Sequence, residues 1–250
     1  MSCVQHNKSE ACFLSVVLPV FNEAGNLARL TEEIFEAAAV ARCEAEVIAV
    51  DDASSDESWS VLSSLAQSDS RIRAVRHTRN CGQSAAIATG FNMARGPLVV
   101  TLDADGQNDP ADLPMLLEEL TDQVDAVCGV RMGRKDSWVK MISSRVGNRF
   151  RNWVTGDSIQ DAGCTFRVIR REAIHELPVF NGLHRFLPTI LRYQGYQVVE
   201  VPIHHRPRVW GVSKYGIGNR LWRGVADCLA MRWWRKRAIP GRRMMRDGLL

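Results

Sequence analysis

Along residues 13–130 the chain alternates short apolar runs with longer stretches of mixed polarity. The runs at 13–20, 45–50, 72–76, 97–102 and 125–130 are rich in Val, Ile and Leu and have the length of buried strands. Between them, apolar residues recur at helical steps. In 27–41, Leu27, Leu30, Ile34 and Ala38 fall on one face. The stretches 57–67, 83–94 and 112–121 read as helices in the same way, with Asp56 placed to cap the first of these. Such strand–helix alternation predicts an α/β fold, a Rossmann-like and mostly parallel sheet with helices on both faces. After residue 130 the rhythm changes. Residues 137–155 predict a helix with Trp138, Met141, Ile142, Val146, Phe150 and Trp153 on one stripe and Lys140, Arg145, Arg149 and Arg151 off it. Residues 164–169 and 197–204 read as strands and 184–193 as a short helix. No internal repeat, low-complexity tract or linker interrupts the chain.

Composition narrows the class. With 250 residues, 46% hydrophobic and 24% charged, the chain can bury one ample core. No run approaches the roughly 18–20 apolar residues that span a bilayer. The first twelve residues lack the basic start and apolar stretch of a signal peptide. Seven cysteines without C-x-x-C spacing suggest neither a zinc site nor a disulfide framework, and they read as small residues in a reducing cytoplasm.

Charge is unevenly placed. Residues 214–250 hold ten Lys/Arg against two acids, a net +8, so the preceding residues carry −4 of the overall +4. In this tail Leu221, Trp222, Val225, Leu229, Trp233 and Trp234 lie near one helical face, flanked by Arg220, Arg223, Arg232, Arg235 and Lys236. Trp at a basic boundary fits an interfacial helix on an anionic membrane. A nucleic-acid-binding patch and a core-packed helix are the weaker readings, and no nucleic-acid partner is expected.

Two acidic clusters begin where apolar runs end: Asp51-Asp52-Ala53-Ser54-Ser55-Asp56 and Asp103-Ala104-Asp105-Gly106-Gln107. In open α/β sheets the ligand crevice lies beyond the carboxyl ends of the strands. Carboxylates crowded there need a cation or donor groups to neutralise them. A D-x-D pair offers hard oxygen ligands to Mg²⁺ or Mn²⁺, cations that keep positions for water and a diphosphate. No G-x-G-x-x-G and no G-x-x-x-x-G-K-[ST] is present, which removes the main support for dinucleotide and P-loop readings.

Further segments accompany these clusters in order: Val17-Leu18-Pro19-Val20-Phe21-Asn22-Glu23, Arg79-Asn80-Cys81-Gly82-Gln83, Gln160-Asp161-Ala162-Gly163-Cys164-Thr165-Phe166, Gly182-Leu183-His184-Arg185-Phe186 and Arg208-Val209-Trp210-Gly211-Val212-Ser213-Lys214-Tyr215. Together they resemble the family 2 inverting glycosyltransferases of GT-A fold, in the polyprenyl-phosphate (dolichol-phosphate mannose synthase-like) branch. The resemblance covers residues 13–217. It implies a nucleotide-sugar half at 13–125 and an acceptor half at 126–217, followed by a basic amphipathic tail at 218–250.

That resemblance places Pro19, Phe21, Glu23 and Asp52 around the base and ribose. Uracil N3–H and guanine N1–H both suit Asp52, so a UDP and a GDP donor stay open. Asp103, Asp105 and Gln107 are implied as the metal site for Mg²⁺ or Mn²⁺, with Asp103 also beside the ribose. Arg131 matches an arginine near the donor, and Arg208 and Lys214 match residues that close over the diphosphate. Asp161 stands where many family 2 enzymes keep a general base and, with Asp105, is the implied catalytic pair. A phosphate acceptor has a second pKa near ~6 and needs little deprotonation, so Asp161 as base and Asp161 as orienting group stay open. Arg145, Arg149 and Arg185 are candidates for the acceptor phosphate; His184 reads as acid/base or as helix-start packing. The implied activity is sugar transfer from a nucleotide-sugar donor to a polyprenyl phosphate, by a protein held peripherally on the cytoplasmic face of the inner membrane. Transfer to a saccharide or lipid hydroxyl, and a non-catalytic nucleotide-sugar-binding module, are the alternatives.

Overall fold

The computed structural model describes residues 12–132, 138–175, 177–207 and 220–238, the side chains of 138–146 and 220–223 excepted. Seven strands form one sheet in the order β3-β2-β1-β4-β6-β5-β7. These are β1 (Cys12–Val20), β2 (Cys43–Asp51), β3 (Ile72–Arg76), β4 (Leu98–Thr101), β5 (Ala126–Arg131), β6 (Arg167–Arg170) and β7 (Val198–Ile203). Only β6 runs antiparallel to its neighbours. The strands expected from the sequence are all present; β6 starts later than residue 164, leaving 161–166 as a loop. Chain order reverses at β1, which pairs with β2 on one side and β4 on the other. This switch point opens the crevice at the carboxyl ends of β1, β2 and β4.

Both faces of the sheet are covered, as the near-continuous apolar strands require. Alternate residues of β1 divide between two cores. Leu14, Val16 and Leu18 join Leu27, Leu30 and Ile34 of α1 (Ala24–Val40), Leu62 of α2 (Ser58–Ser68) and Leu116 of α4 (Leu113–Glu118). Val17 faces the other way, toward α3 (Gln83–Met93), α5 (Trp138–Thr155), α6 (Leu183–Tyr193) and α7 (Arg220–Arg237). The α2 cap falls one residue later than expected, at Glu57, while Asp56 accepts from Ser58 N at 2.9 Å just ahead of the helix.

Three expectations are corrected. Cys12 and Cys43 form a disulfide. The parallel register sets them side by side at the starts of β1 and β2, a pairing that spacing 31 residues apart could not reveal. Within the described part of α5 the stripe is inverted. Trp153 is 73% and Phe150 40% exposed, while Arg151, Val154 and Thr155 are buried. Arg151 tolerates burial because it lies 3.8 Å from Asp157 and donates to Asn152 Oδ1. Finally, α7 is no appendage beyond residue 217. Cys228 and Met231 are buried in the second core, Trp234 packs beside Tyr193, and Arg235 donates to Thr155 O at 3.1 Å. Leu229 and Trp233 point outward.

The helix α3 lies almost directly on β1. A Cβ at Gly90 would fall 2.2 Å from Val17 Cγ1, and Val17 is fully buried. Gly90→Ala gains up to about 1 kcal/mol of helix propensity but forces an overpacked core, a loss of about 1–3 kcal/mol. The variant is expected to unfold at lower urea concentration than wild type, and Val17→Ala in the same chain should restore part of the loss relative to the sum of the single changes.

Candidate active site

The first wall of the crevice is built by two loops that hold each other. Asn22 and Ala53, following β1 and β2, both adopt left-handed backbone, φ 56° and 58°. Such a conformation persists in non-glycine residues where surrounding bonds determine it. Here Asn22 N donates to Ser54 Oγ at 2.9 Å and Ser55 N donates to Asn22 Oδ1 at 2.8 Å. Glu23, buried at the start of α1, donates its N–H to Ser58 Oγ and accepts from Asn26 Nδ2. Pro19 and Phe21 sit half-buried beside it. Asp51, fully buried, accepts from Ser54 N at 3.2 Å and pairs with Arg76 Nε at 3.0 Å.

Asp52 is more committed than a base-reading acceptor needs to be. Its Oδ1 accepts from Cys81 N at 2.8 Å and meets His77 Nδ1 at 2.7 Å; its Oδ2 accepts from Gly82 N at 2.7 Å. The side chain therefore fastens the 77–82 loop to the end of β2. Gly82, at φ 90°, turns that loop into α3, and Gln83 then reaches Asp103, donating Nε2–H to Oδ1 at 2.7 Å. The Arg79–Gln83 motif thus connects the two acidic clusters, a role its sequence did not announce.

Asp103 and Asp105 follow β4. Burial first, and the Asp105 charge second, push the Asp103 carboxyl up to about 6, against the opposing pull of Arg131 and Arg167. Asp105 Oδ1 accepts from Gln107 N at 3.1 Å, closing the turn. Gln107 Nε2 stands 3.4 Å from His205 Nε2, across 98 residues of sequence. The segment bearing His205 is bound to this loop by an Asn108–His205 bridge and by Arg206 N donating to Gln107 O at 2.8 Å. Arg206 also bridges Glu33 and Asp109, and His204 bonds Asp112. The carboxylate oxygens of Asp103 and Asp105 and the amide oxygen of Gln107 are a donor set that fits Mg²⁺ or Mn²⁺. The raised Asp103 is the observation that makes a cation favourable there.

Arg131 and Asp161, expected separately, are one unit. Arg131 Nε and Nη2 donate to the two Asp161 oxygens at 2.7 and 2.8 Å. Burial works against the Arg131 charge, but these bonds hold the guanidinium above its ordinary value. Arg167, on β6, is fully buried and donates to His184 O and Cys164 O. It was not among the expected residues; a cationic residue inside an apolar strand is its only sequence signal. His184 Nδ1 lies 2.8 Å from Ser84 Oγ, tying α6 to α3. Arg185 is half-buried at the start of α6, and Arg149 is exposed on α5. Arg208, Lys214 and the Arg145 side chain lie outside the described residues.

Comparison with known proteins gives the family. Residues 15–178 match glycosyl transferase family 2, and the chain belongs to it. It is 38% identical over 206 residues to an undecaprenyl-phosphate 4-deoxy-4-formamido-L-arabinose transferase of Edwardsiella ictaluri, covering 82% of this chain and 63% of that protein. An Enterobacter protein of the same name is 39% identical over 203 residues, covering 81% and 62%. The chain thus spans less than two thirds of these relatives. Among solved structures, glucosyl-3-phosphoglycerate synthase of Mycobacterium tuberculosis superposes with a TM-score of 0.65 at 19% identity, over 90% of this chain and 80% of that one. A Pyrobaculum calidifontis mannosyltransferase in complex with GDP-Man and Mn²⁺ gives 0.62 at 21%, over 96% and 66%. The fold is the GT-A fold.

The Asp103 shift has a consequence for stability. A carboxyl at about 6 in the fold and 3.8 in the unfolded chain binds more protons when folded. Its contribution is present below pH 4 and lost as pH rises through 6. Because Asp103 keeps some contact with water, wild type in EDTA is expected to lose about 1–2 kcal/mol relative to Asp103→Asn between pH 4 and 7. Urea titrations of both proteins across that range check the sign.

Proposed function

We propose that the chain is an inverting glycosyltransferase moving a sugar from a GDP or UDP donor to a polyprenyl phosphate at the cytoplasmic membrane face. The observation carrying this reading is the Asp103–Asp105 pair at the end of β4, where burial and mutual repulsion favour a bound cation. The acceptor class is supported by the names of the relatives at 38–39% identity.

In the proposed reaction, an oxygen of the acceptor phosphate attacks the anomeric carbon from the side opposite the nucleoside diphosphate. The new C–O bond forms as the bond to the diphosphate oxygen breaks, and the configuration inverts. Asp103, Asp105 and Gln107 would hold Mg²⁺ or Mn²⁺. When bound, the cation would neutralise the diphosphate and the charge gathering on it. Pro19, Phe21 and Glu23 would flank the nucleoside, and Asp52 would set the loop beside it. Arg208 and Lys214 would close on the diphosphate, and Arg145, Arg149 and Arg185 would meet the acceptor phosphate.

The Arg131–Asp161 clamp bears on the acceptor. A carboxylate occupied on both oxygens by one guanidinium is well suited to orient its neighbours and poorly suited to accept a proton. A hydroxyl acceptor would require such a base. A phosphate, mostly dianionic at pH 7, does not.

Membrane attachment is supported by surface composition. Exposed Phe150 and Trp153 on α5, and Leu229 and Trp233 on α7, are accompanied by exposed Arg149, Arg232, Lys236 and Arg237. Among the described residues no helix is long and apolar enough to cross a membrane. We infer a peripheral docking face that presents the crevice to a lipid-borne acceptor.

Asp105→Ala is expected to abolish divalent-dependent transfer to polyprenyl phosphate while the circular dichroism spectrum stays that of wild type; undiminished wild-type turnover in excess EDTA would overturn the metal-assisted reading. The double change Leu229→Ser/Trp233→Ser removes exposed apolar area without touching the buried Cys228 and Met231. It should weaken sedimentation with anionic vesicles severalfold and leave donor binding unchanged. Equal sedimentation of the two proteins would rule out α7 as the docking face.

A further inference from the structure

On the other side of the crevice from the D-x-D loop lies a second cluster of ligand-type side chains: Asp52, His77 and Cys81. One oxygen, ring nitrogen or sulfur from each lies within 4.8 Å of the other two. Two separate pieces of chain supply them, the end of β2 and the single loop between β3 and α3. Asp52 follows β2, His77 follows β3, and Cys81 precedes α3, so the grouping is a product of the fold rather than of a local turn. We propose that Asp52, His77 and Cys81 form a binding site for a thiophilic divalent cation of the Zn²⁺ class, distinct from the hard-cation site at Asp103 and Asp105.

The chemistry differs from that of the D-x-D loop in the way that selects metals. A thiolate, an imidazole and one carboxylate oxygen suit Zn²⁺, whereas oxygen-rich sets suit Mg²⁺ and Mn²⁺. Asp52 is buried and oriented before any ion arrives, because Cys81 N and Gly82 N already hold its two oxygens. His77 has a hydroxyl partner on its second ring nitrogen. Its Nδ1 faces Asp52 at 2.7 Å, and its Nε2 lies 2.9 Å from Thr89 Oγ1. An ion at Nδ1 replaces the proton shared with Asp52. Nε2 then carries the ring proton and donates it to Thr89, which fixes the tautomer. Cys81 is exposed, so the thiol is accessible and gives its proton to solvent on binding. Three protein ligands leave a fourth tetrahedral position for water. Two bonds of about 2.0–2.1 Å at a tetrahedral angle set the ligand atoms about 3.3–3.4 Å apart, so binding opens Asp52 Oδ1 and His77 Nδ1 from 2.7 Å by about 0.6–0.7 Å.

Occupancy would cross-link the carboxyl ends of β2 and β3 to the start of α3. The adjoining Gln83 is the residue that reaches Asp103. The ion would therefore rivet the loop between the two acidic clusters. The inference rests on side-chain placement alone and does not depend on the proposed sugar transfer.

The test uses the full chain, stripped of metal and kept in a non-thiol reductant, with saturating Mg²⁺ to fill the D-x-D loop. Zn²⁺ is titrated in competition with a chromophoric chelator, for wild type, Cys81→Ser, His77→Asn and Asp105→Ala. Wild type and Asp105→Ala should each bind one tight equivalent, and Cys81→Ser and His77→Asn should bind at least about tenfold more weakly. Co²⁺ in place of Zn²⁺ should give a thiolate-to-metal charge-transfer band in wild type and none in Cys81→Ser. Folding of each variant is read from its thermal transition without metal, and Zn²⁺ should raise that transition in wild type more than in Cys81→Ser. Equal Zn²⁺ affinity in wild type and Cys81→Ser would overturn the proposal. So would loss of the tight equivalent in Asp105→Ala alone, or a wild-type Co²⁺ complex without the thiolate band.

Discussion

Carboxylates crowded at the ends of neighbouring parallel strands are the constraint around which this molecule is arranged. Asp51 and Asp52 close β2, and Asp103 and Asp105 follow β4, with β1 between. Each charge there is unfavourable unless something answers it. Asp51 is answered by Arg76 and a backbone N–H, and Asp52 by two backbone N–H groups and His77. Asp103 is the one whose carboxyl burial drives up to about 6, with Gln83 and the field of two arginines as partial compensation. The unevenness is informative. Acids tied to backbone N–H groups hold loops, whereas the partly answered Asp103 suits a site that a cation enters.

The alternation of strands and helices was legible because burial on both faces leaves little room for polar residues within a strand. Val47, Ile48, Ala49 and Val50 are all buried. Patterning misled where one charged side chain found buried partners. Arg151 falls off the apolar stripe in the sequence, yet Asp157 and the Asn152 amide take it inside, and Phe150 and Trp153 turn outward. A basic helix such as α7 carries the same ambiguity. Cys228 and Met231 supply a buried face too narrow for a hydrophobic pattern to single out, while Leu229 and Trp233 give the helix a second apolar face. The disulfide escaped for a different reason: register, not spacing, brings Cys12 to Cys43.

In the candidate site, the legible part was the residues carried by short motifs at strand ends. The illegible part was everything contributed from a distance. His205 reaches Gln107 only because Arg206 and the Asn108 bridge bring the segment after β7 back over the β4 loop. Arg167 belongs to the single antiparallel strand, which inserts a guanidinium beside the acids from the opposite chain direction. Gln83 was visible as part of a motif, but its partner was not. Pairings across 20 or 98 residues are decided by sheet order, which residue spacing does not encode.

The Arg131–Asp161 pair shows how such distant pairing changes a chemical reading. Taken singly, an aspartate in this position is a base and an arginine is a donor contact. Joined through two parallel hydrogen bonds, they form a rigid polar element whose charges largely cancel. A proton acceptor in this place would have to compete with the guanidinium for the same oxygens. An acceptor substrate that brings its own ionised nucleophile removes that demand, and the site is then left to orient two anions and neutralise them. Among these residues the least compensated charge is at Asp103, where Gln83 and the field of two arginines answer it only in part. A cation held at Asp103 and Asp105 would answer that charge together with the negative charge that, in the proposed chemistry, gathers on the departing diphosphate rather than on a base within the fold.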